Sequence, residues 1–398
     1  MSLEIEYKPF NKLVKKIIDN RGKTCPVVRS GFPLIATNCI LNRNLYPIFE
    51  NIRFVSQETY ETWFRGHPEP GDMIFVLKGT PGRVNWVPDP VNFCIAQDMV
   101  AIRANEQEVY PKYLFAALRS SIIQQEIENL HVGTLIPHFK KSDFDKLFIP
   151  CPSYKMQTYI GDTYFYFSQK IDLLQRQNAT LEAMAETLFR QWFIEEAQED
   201  WEEKTLEELF DISIGRTPPR KEQWHFLKSN GNIWISIKDM GGEGAYISDS
   251  SEYLTAESIY KYRIPLIKKN SVLLSFKMTV GRVKISTQDM YSNEVIACFY
   301  PKKGANIFVE WLYIYLKTFK FDSLGTTSSI VTSINMKIIR DIRVRIPERV
   351  ILSKFDIISR KIFKKIYANQ QQIRTLEKLR DTLLPKLMSG EVRVRVDG

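Results

Sequence analysis

Lysine, threonine, glycine and arginine recur at one spacing in two distant places. Leu77–Val84 reads LKGTPGRV and Phe276–Val283 reads FKMTVGRV, so Lys78, Thr80, Gly82 and Arg83 match Lys277, Thr279, Gly281 and Arg282. Lys and Arg neutralise phosphates, Thr donates to a phosphate oxygen, and Arg can also grip guanine O6 and N7 with two hydrogen bonds. Gly82 and Gly281 permit a tight turn or a close approach of backbone to a ligand. A hairpin turn with solvated basic side chains accounts for the same residues.

Other chemistry is sparse. Gly22-Lys23-Thr24 invites a phosphate-loop reading, but that motif needs a glycine five residues before Gly22, where Ile17 stands. A structural turn is expected there instead. The four histidines (His67, His131, His138 and His225) form no HxH or HxxxH pair. The five cysteines (Cys25, Cys39, Cys94, Cys151 and Cys298) form no CxxC pair. Neither zinc nor a disulfide framework fits that spacing, and His131 and His138 read as ordinary polar or capping residues. The chain has no Gly-x-Ser-x-Gly turn, no GxGxxG, no amino-methyltransferase Asn/Asp-Pro-Pro-Tyr/Phe, and no Pro-Asp with a spaced acid-x-Lys. Glu202-x-Lys204 reads as a solvated helix face. These absences together predict a non-enzyme without a metal.

The elements that position the two loops come from a globular chain. Its 398 residues predict two domains or more. A hydrophobic content of 44% with 12% aromatics is ample for packed cores. No apolar run nears the roughly 18 residues of a membrane span, and the first residues lack a signal-peptide core. Scattered cysteines suit a reducing cytoplasm. Lys and Arg number 55 against 46 acids, a balance of +9 that suits a polyanionic partner.

The loops belong to a longer repeat. Thr180-Leu181-Glu182 recurs as Thr375-Leu376-Glu377, 195 residues later, and Glu186-Thr187-Leu188 recurs as Asp381-Thr382-Leu383. Phe54–Thr59 lies over Tyr253–Ser258, Tyr113–Leu118 over Trp311–Leu316, Leu147–Pro152 over Val344–Arg349, and Asn20–Pro26 over Ser213–Pro219. Order is kept throughout, so the chain is a tandem duplication. Each half is a block of short strand-like runs (DMIFVL, SVLLSF, NIWISI, VIACFY) with a helical stretch near its end, followed by a long helix. The fold class is therefore α+β, with blocks at 1–152 and 201–347 and helical segments at 153–200 and 348–398.

Both helical segments keep a seven-residue rhythm. In the first, Ile171, Asn178, Ala185 and Trp192 alternate with Leu174, Leu181 and Leu188. In the second, Ile366 and Ile373 alternate with Asn369, Leu376 and Leu383. Such spacing predicts a coiled-coil seam, with Asn178 and Asn369 as polar positions that set register. Pro385 is expected to break the second helix and Gly390 to finish its exit.

Gly215–Met240 (GRTPPRKEQWHFLKSNGNIWISIKDM), the SFKMTVGRV loop and the closing LEKLRDTLLPKLMSGEVRV together resemble the specificity subunit of Type I restriction-modification systems. The resemblance covers nearly the whole chain and is weaker in the first half. It implies two target-recognition domains, each reading one half of a split duplex DNA sequence, and two spacer helices pairing as an antiparallel coiled coil. A helix of about 30 residues is roughly 45 Å long, against about 34 Å for one turn of DNA. Arg216 and Lys238 join Lys78, Thr80, Arg83, Lys277, Thr279 and Arg282 as candidate DNA contacts. The paired helices would dock two modification methyltransferase subunits, and two restriction endonuclease subunits would complete the assembly. S-adenosylmethionine and ATP would be bound by those partners and no cofactor by this chain. The alternative from another class is a coiled-coil scaffold whose repeated domains bind protein.

Overall fold

The computed structural model describes residues 5–20, 23–130, 136–305, 307–321, 334–388 and 391. Two units divide the chain: Met1–Leu173 with Ile373–Gly398, and Leu174–Gln372.

In the first unit, strands Val14–Asp19, Met99–Ala104, Met73–Val76 and Val84–Trp86 lie side by side in that order, all antiparallel. All four residues of Met73–Val76 are buried, because this strand is covered on both faces and so reads as an unbroken apolar run. Successive side chains point to opposite faces. Met73 and Phe75 thus join one core with Phe10 and Tyr113, while Ile74 and Val76 join another with Ile35 and Phe93. A three-stranded sheet (Arg53–Val55, Phe32–Ile35, Cys94–Ile95) and a ribbon of Glu6–Pro9 with Phe148–Cys151 complete the unit's strands.

The second unit repeats the plan. Phe210–Ile214, Ile296–Pro301, Val272–Ser275, Val283–Ser286 and Tyr246–Ile247 form a five-stranded sheet. A second sheet orders Phe226–Leu227, Glu252–Leu254, Asn232–Ile235 and Tyr291–Ser292, and a ribbon pairs Glu202–Thr205 with Arg343–Ile346. The central strand again splits its side chains, with Val272 and Leu274 in one core and Leu273 in another. Local signals are copied too. The helix Gln57–Thr62 is capped by Ser56, which accepts from the Thr59 amide, and Ala256–Tyr262 by Thr255, which accepts from the Ser258 amide.

The helical stretch of the first half is two helices, Pro111–Arg119 and Ser121–Asn129. Ser120 separates them with extended backbone and caps the second by accepting from the Ile123 amide. The second half has Val309–Thr318 at the corresponding place.

Tyr154–Arg190 and Arg349–Met388 are long single helices, the central and closing helices. Within the second unit they pair antiparallel. Asn178 meets Asn369, and further along, Phe189 of the central helix and Phe193 of the π-helical turn Gln191–Glu195 that continues it meet Phe355, earlier in the closing helix, at 6.0 and 4.9 Å between ring centroids. Of the seam residues, Ile171, Leu174, Asn178, Ile366, Asn369 and Ile373 are buried. Leu181 and Leu188 are partly buried against the second unit's core and Leu383 against the first's, and Leu376 is half-buried. A strict seven-residue spacing slips about 20° per heptad on a straight helix. Towards its end the closing helix accordingly buries Arg380, Leu384, Leu387 and Met388.

Two expectations are corrected. Pro385 does not break the closing helix, which continues to Met388. Proline there loses one amide donor in the last turn, while Leu384, Leu387 and Met388 anchor that turn in the first unit's core. Gly390 lies outside the described residues. Glu202-x-Lys204 lies on a strand, not a helix. Residues two apart share a strand face, and the Lys204 ammonium sits 2.9 Å from the Glu202 carboxylate.

Candidate nucleic-acid interface

The two basic loops are hairpin turns closed by the same bonds. In the first, the Gly82 amide donates to Val76 O (3.0 Å) and the Val76 amide to Arg83 O (2.9 Å). In the second, the Gly281 amide donates to Ser275 O (3.0 Å) and the Ser275 amide to Arg282 O (3.0 Å). Gly82 and Gly281 have φ of +87° and +91°, which only glycine adopts without strain. One further position also keeps its conformation: Gly79 at φ +85° matches Met278 at φ +63°. A methionine held there is uncommon, and its side chain is 78% exposed.

The side chains diverge. Lys277 and Thr279 are exposed, whereas Lys78, Thr80 and Arg83 are half-buried. The Arg282 guanidinium turns inward and donates to Ile237 O at 2.8 Å, clamping the short helix Ile237–Met240. Arg83 has no such partner among the described residues. Two residues on, Lys284 and Asn85 do parallel work on neighbouring loops. The buried Lys284 ammonium donates to Gly242 O (2.6 Å) and Gly244 O, and burial pushes its pKa down to about 8. The Asn85 amide donates to Leu41 O and Asn44 O.

Arg216 is exposed at the start of the Gly-Arg-Thr-Pro-Pro segment, with its guanidinium donating to Tyr262 O at 3.0 Å. Its backbone is tightly fixed. The Arg216 amide donates to Ser292 O (2.9 Å) and the Trp234 indole donates to Arg216 O (3.1 Å). A Cβ on Gly215 would lie 1.9 Å from Ser292 O, so the segment can only begin with glycine. Lys238 is exposed on Ile237–Met240, the helix that Arg282 clamps.

Sequence reasoning missed a neighbouring surface. Tyr260 is 87% exposed, and the Lys261 ammonium lies over the Trp224 and Tyr262 rings at 5.3 and 5.5 Å. Exposed aromatics beside cations are the groups on which bases stack. The spacing of Tyr260 and Lys261 from Trp224 hides this grouping, which the fold creates. Beneath it His225 is wholly buried between Ser258 Oγ (2.8 Å) and the Glu222 carboxylate (3.1 Å), a structural role. His131 and Gly22 lie outside the described residues. His138 lends its backbone to a bridge with Lys78.

All five cysteines are free and buried. Among the described residues no cluster of three or more His, Cys, Asp or Glu could hold a metal ion, and no helix is long and apolar enough to cross a membrane.

Known proteins share this arrangement. The family model described as the Type I restriction modification DNA specificity domain matches twice, over residues 15–183 and 198–378. The chain is 25% identical over 348 residues to the Type I restriction enzyme MjaIX specificity subunit of Methanocaldococcus jannaschii, covering 77% of this chain and 76% of that one. It is 21% identical over 403 residues to the HindI specificity subunit of Haemophilus influenzae, covering 81% and 86%. In fold it resembles the crystal structure of the Type-I restriction-modification system S subunit from M. genitalium, with a TM-score of 0.60 and 18% identity over 97% and 96% of the two chains. With that domain matched in both halves of a duplicated α+β fold, the chain belongs to the Type I restriction modification DNA specificity family.

Proposed function

We propose that this chain is the DNA-recognition subunit of a Type I restriction-modification complex and is not itself an enzyme. The target-recognition domains, 1–152 and 201–347, each read one half of a bipartite duplex target. The helical spacers, 153–200 and 348–398, set the gap between the half-sites and dock two modification methyltransferase subunits. Two restriction endonuclease subunits complete the assembly in the cytoplasm. S-adenosylmethionine and ATP are bound by those partners, and this chain takes no cofactor. Lys277 and Thr279 in one domain, and Lys78, Thr80 and Arg83 in the other, are the loop residues proposed to contact DNA. Arg216 and Lys238 are proposed with them, while Arg282 acts by holding the helix that carries Lys238.

The tandem family match supports this reading most directly, because two equivalent domains in one chain suit a target with two parts. Methylome sequencing of cells expressing the chain with its methyltransferase tests it. The expected result is a new modified motif of two specified parts separated by a fixed unspecified gap. A contiguous modified motif, or none, would overturn it.

A further inference from the structure

The repeat places Arg119, last residue of Pro111–Arg119, where Lys317 stands in Val309–Thr318. In the second unit Lys317 is fully compensated. Glu182 and Glu186 of the central helix bind its ammonium, Glu186 at 3.0 Å. The counterparts of those carboxylates on the closing helix are Glu377 and Asp381. Arg380, however, stands where the central helix has Ala185. It takes Asp381 for itself, Nε to Oδ1 at 2.8 Å and Nη2 to Oδ2 at 3.4 Å.

Asp381 thereby acts on Arg119 only from a distance, and Arg119 is left without a carboxylate bound to it. It is 8% exposed, and none of its three guanidinium nitrogens has a hydrogen-bond partner among the described residues. Its guanidinium lies over the Phe115 ring at 4.9 Å. It lines a cavity of about 330 Å³ with Arg43, Ser120, Ser121, Tyr164 and Arg380. Asp381 is the one carboxylate on that lining, and Arg380 already binds it. A guanidinium cannot shed its charge at any working pH, and an isolated buried charge is strongly disfavoured unless something pairs with it. The helix Ser121–Asn129 begins at the cavity wall, adding the positive end of its dipole. Water occupies about 30 Å³ per molecule, so a tetrahedral oxyanion fits with part of its hydration shell.

We infer that this cavity in the first unit is an oxyanion site that holds a phosphate group between the Arg119 and Arg380 guanidiniums. The corresponding cavity of the second unit, about 320 Å³ and lined by Gly241, Gly242 and Lys317, already holds the Glu182 carboxylate against the Lys317 ammonium. The group comes either from free phosphate or from a nucleic-acid backbone, and the chemistry of capture is the same. The inference does not depend on which bases the recognition domains read.

Titration calorimetry of the full chain with inorganic phosphate, against chloride at equal ionic strength, tests it. Wild type should show saturable binding to one site. Arg119→Met and Arg380→Met should each weaken it about tenfold or more, the loss of a charge-assisted contact. Asp381→Asn should tighten it, and Lys317→Met should leave it unchanged. Arg119→Met replaces an unpaired buried charge by an apolar chain of similar reach, so its thermal midpoint in chloride should hold or rise. That outcome separates lost binding from lost folding. Displacement of phosphate by a short DNA duplex would make the backbone the source, and simultaneous binding would make it free phosphate. No saturable phosphate binding in wild type, or binding that survives both arginine substitutions, would overturn the site.

Discussion

The Asn369 side-chain amide donates to Asn178 Oδ1 at 2.9 Å, and both residues are almost wholly buried in the second unit. The Gln177 Oε1 accepts from the same nitrogen at 2.8 Å. A buried polar pair in an otherwise apolar seam is satisfied in one register only, because sliding either helix by a turn strands an amide against leucine or isoleucine.

Replacing one partner should therefore cost more than replacing both. Asn369→Leu leaves the Asn178 oxygen without that donor and should lower stability by about 1–3 kcal/mol. The double change Asn178→Leu with Asn369→Leu should recover most of that loss. Urea midpoints check both, and a double variant less stable than either single one would contradict the pairing.

The two loop arginines should separate. Arg282→Ala removes the bond to Ile237 O and should cost about 1–2 kcal/mol of stability, read as a lower thermal midpoint. Arg83→Ala breaks no such bond. It should leave the midpoint unchanged and weaken duplex binding, with the salt slope flattening by about one if the contact is to phosphate. Equal thermal losses in the two variants would show that the loops are used alike.

Burial holds the Lys284 pKa at about 8, against 10.5 for a free lysine. Between those two values the unfolded chain binds more protons than the folded one, so folding gains stability as pH rises through that window. The gain is on the order of 3 kcal/mol at most. The thermal midpoint of wild type should rise relative to Lys284→Met between pH 8 and 10. Parallel curves would place the lysine pKa near its ordinary value.

A spacer role makes the gap adjustable. Four residues, about one helical turn, added to both long helices after Asn178 and before Asn369 should lengthen each by roughly 6 Å. Base pairs are about 3.4 Å apart, so the methylated gap should grow by one or two base pairs with both half-sites unchanged. An unchanged gap in the methylome would leave the helices only as a docking surface.

Much of the architecture could be read directly from the residues. The repeat announced two copies of one α+β plan, and Met73–Val76 and Val272–Ser275 advertised their doubly covered strands by unbroken apolarity. Gly82 and Gly281 marked turns because no other residue suits their backbone. Contacts decided by side-chain direction were hidden. Arg83 and Arg282 match in sequence, yet of the two, among the described residues, Arg282 alone turns its guanidinium onto a carbonyl, that of Ile237, 45 residues away along the chain. Arg380 stands beside a repeated acid where the first copy has Ala185, and its effect on Arg119 exists only once both helices are folded. Pro385 shows the limit of local rules, since three buried apolar neighbours outweigh one missing amide.

The buried cysteines make the protein a clock for its own opening. Burial pushes the Cys151 thiol up to about 11 and those of Cys94 and Cys298 to about 12, so these three form little thiolate, and all five are buried away from alkylating reagents in the folded chain. Cys25, Cys39, Cys94 and Cys151 belong to the first unit and Cys298 to the second. The order in which mass tags appear during mild denaturation therefore records which unit loosens first, with no label or probe introduced by mutation.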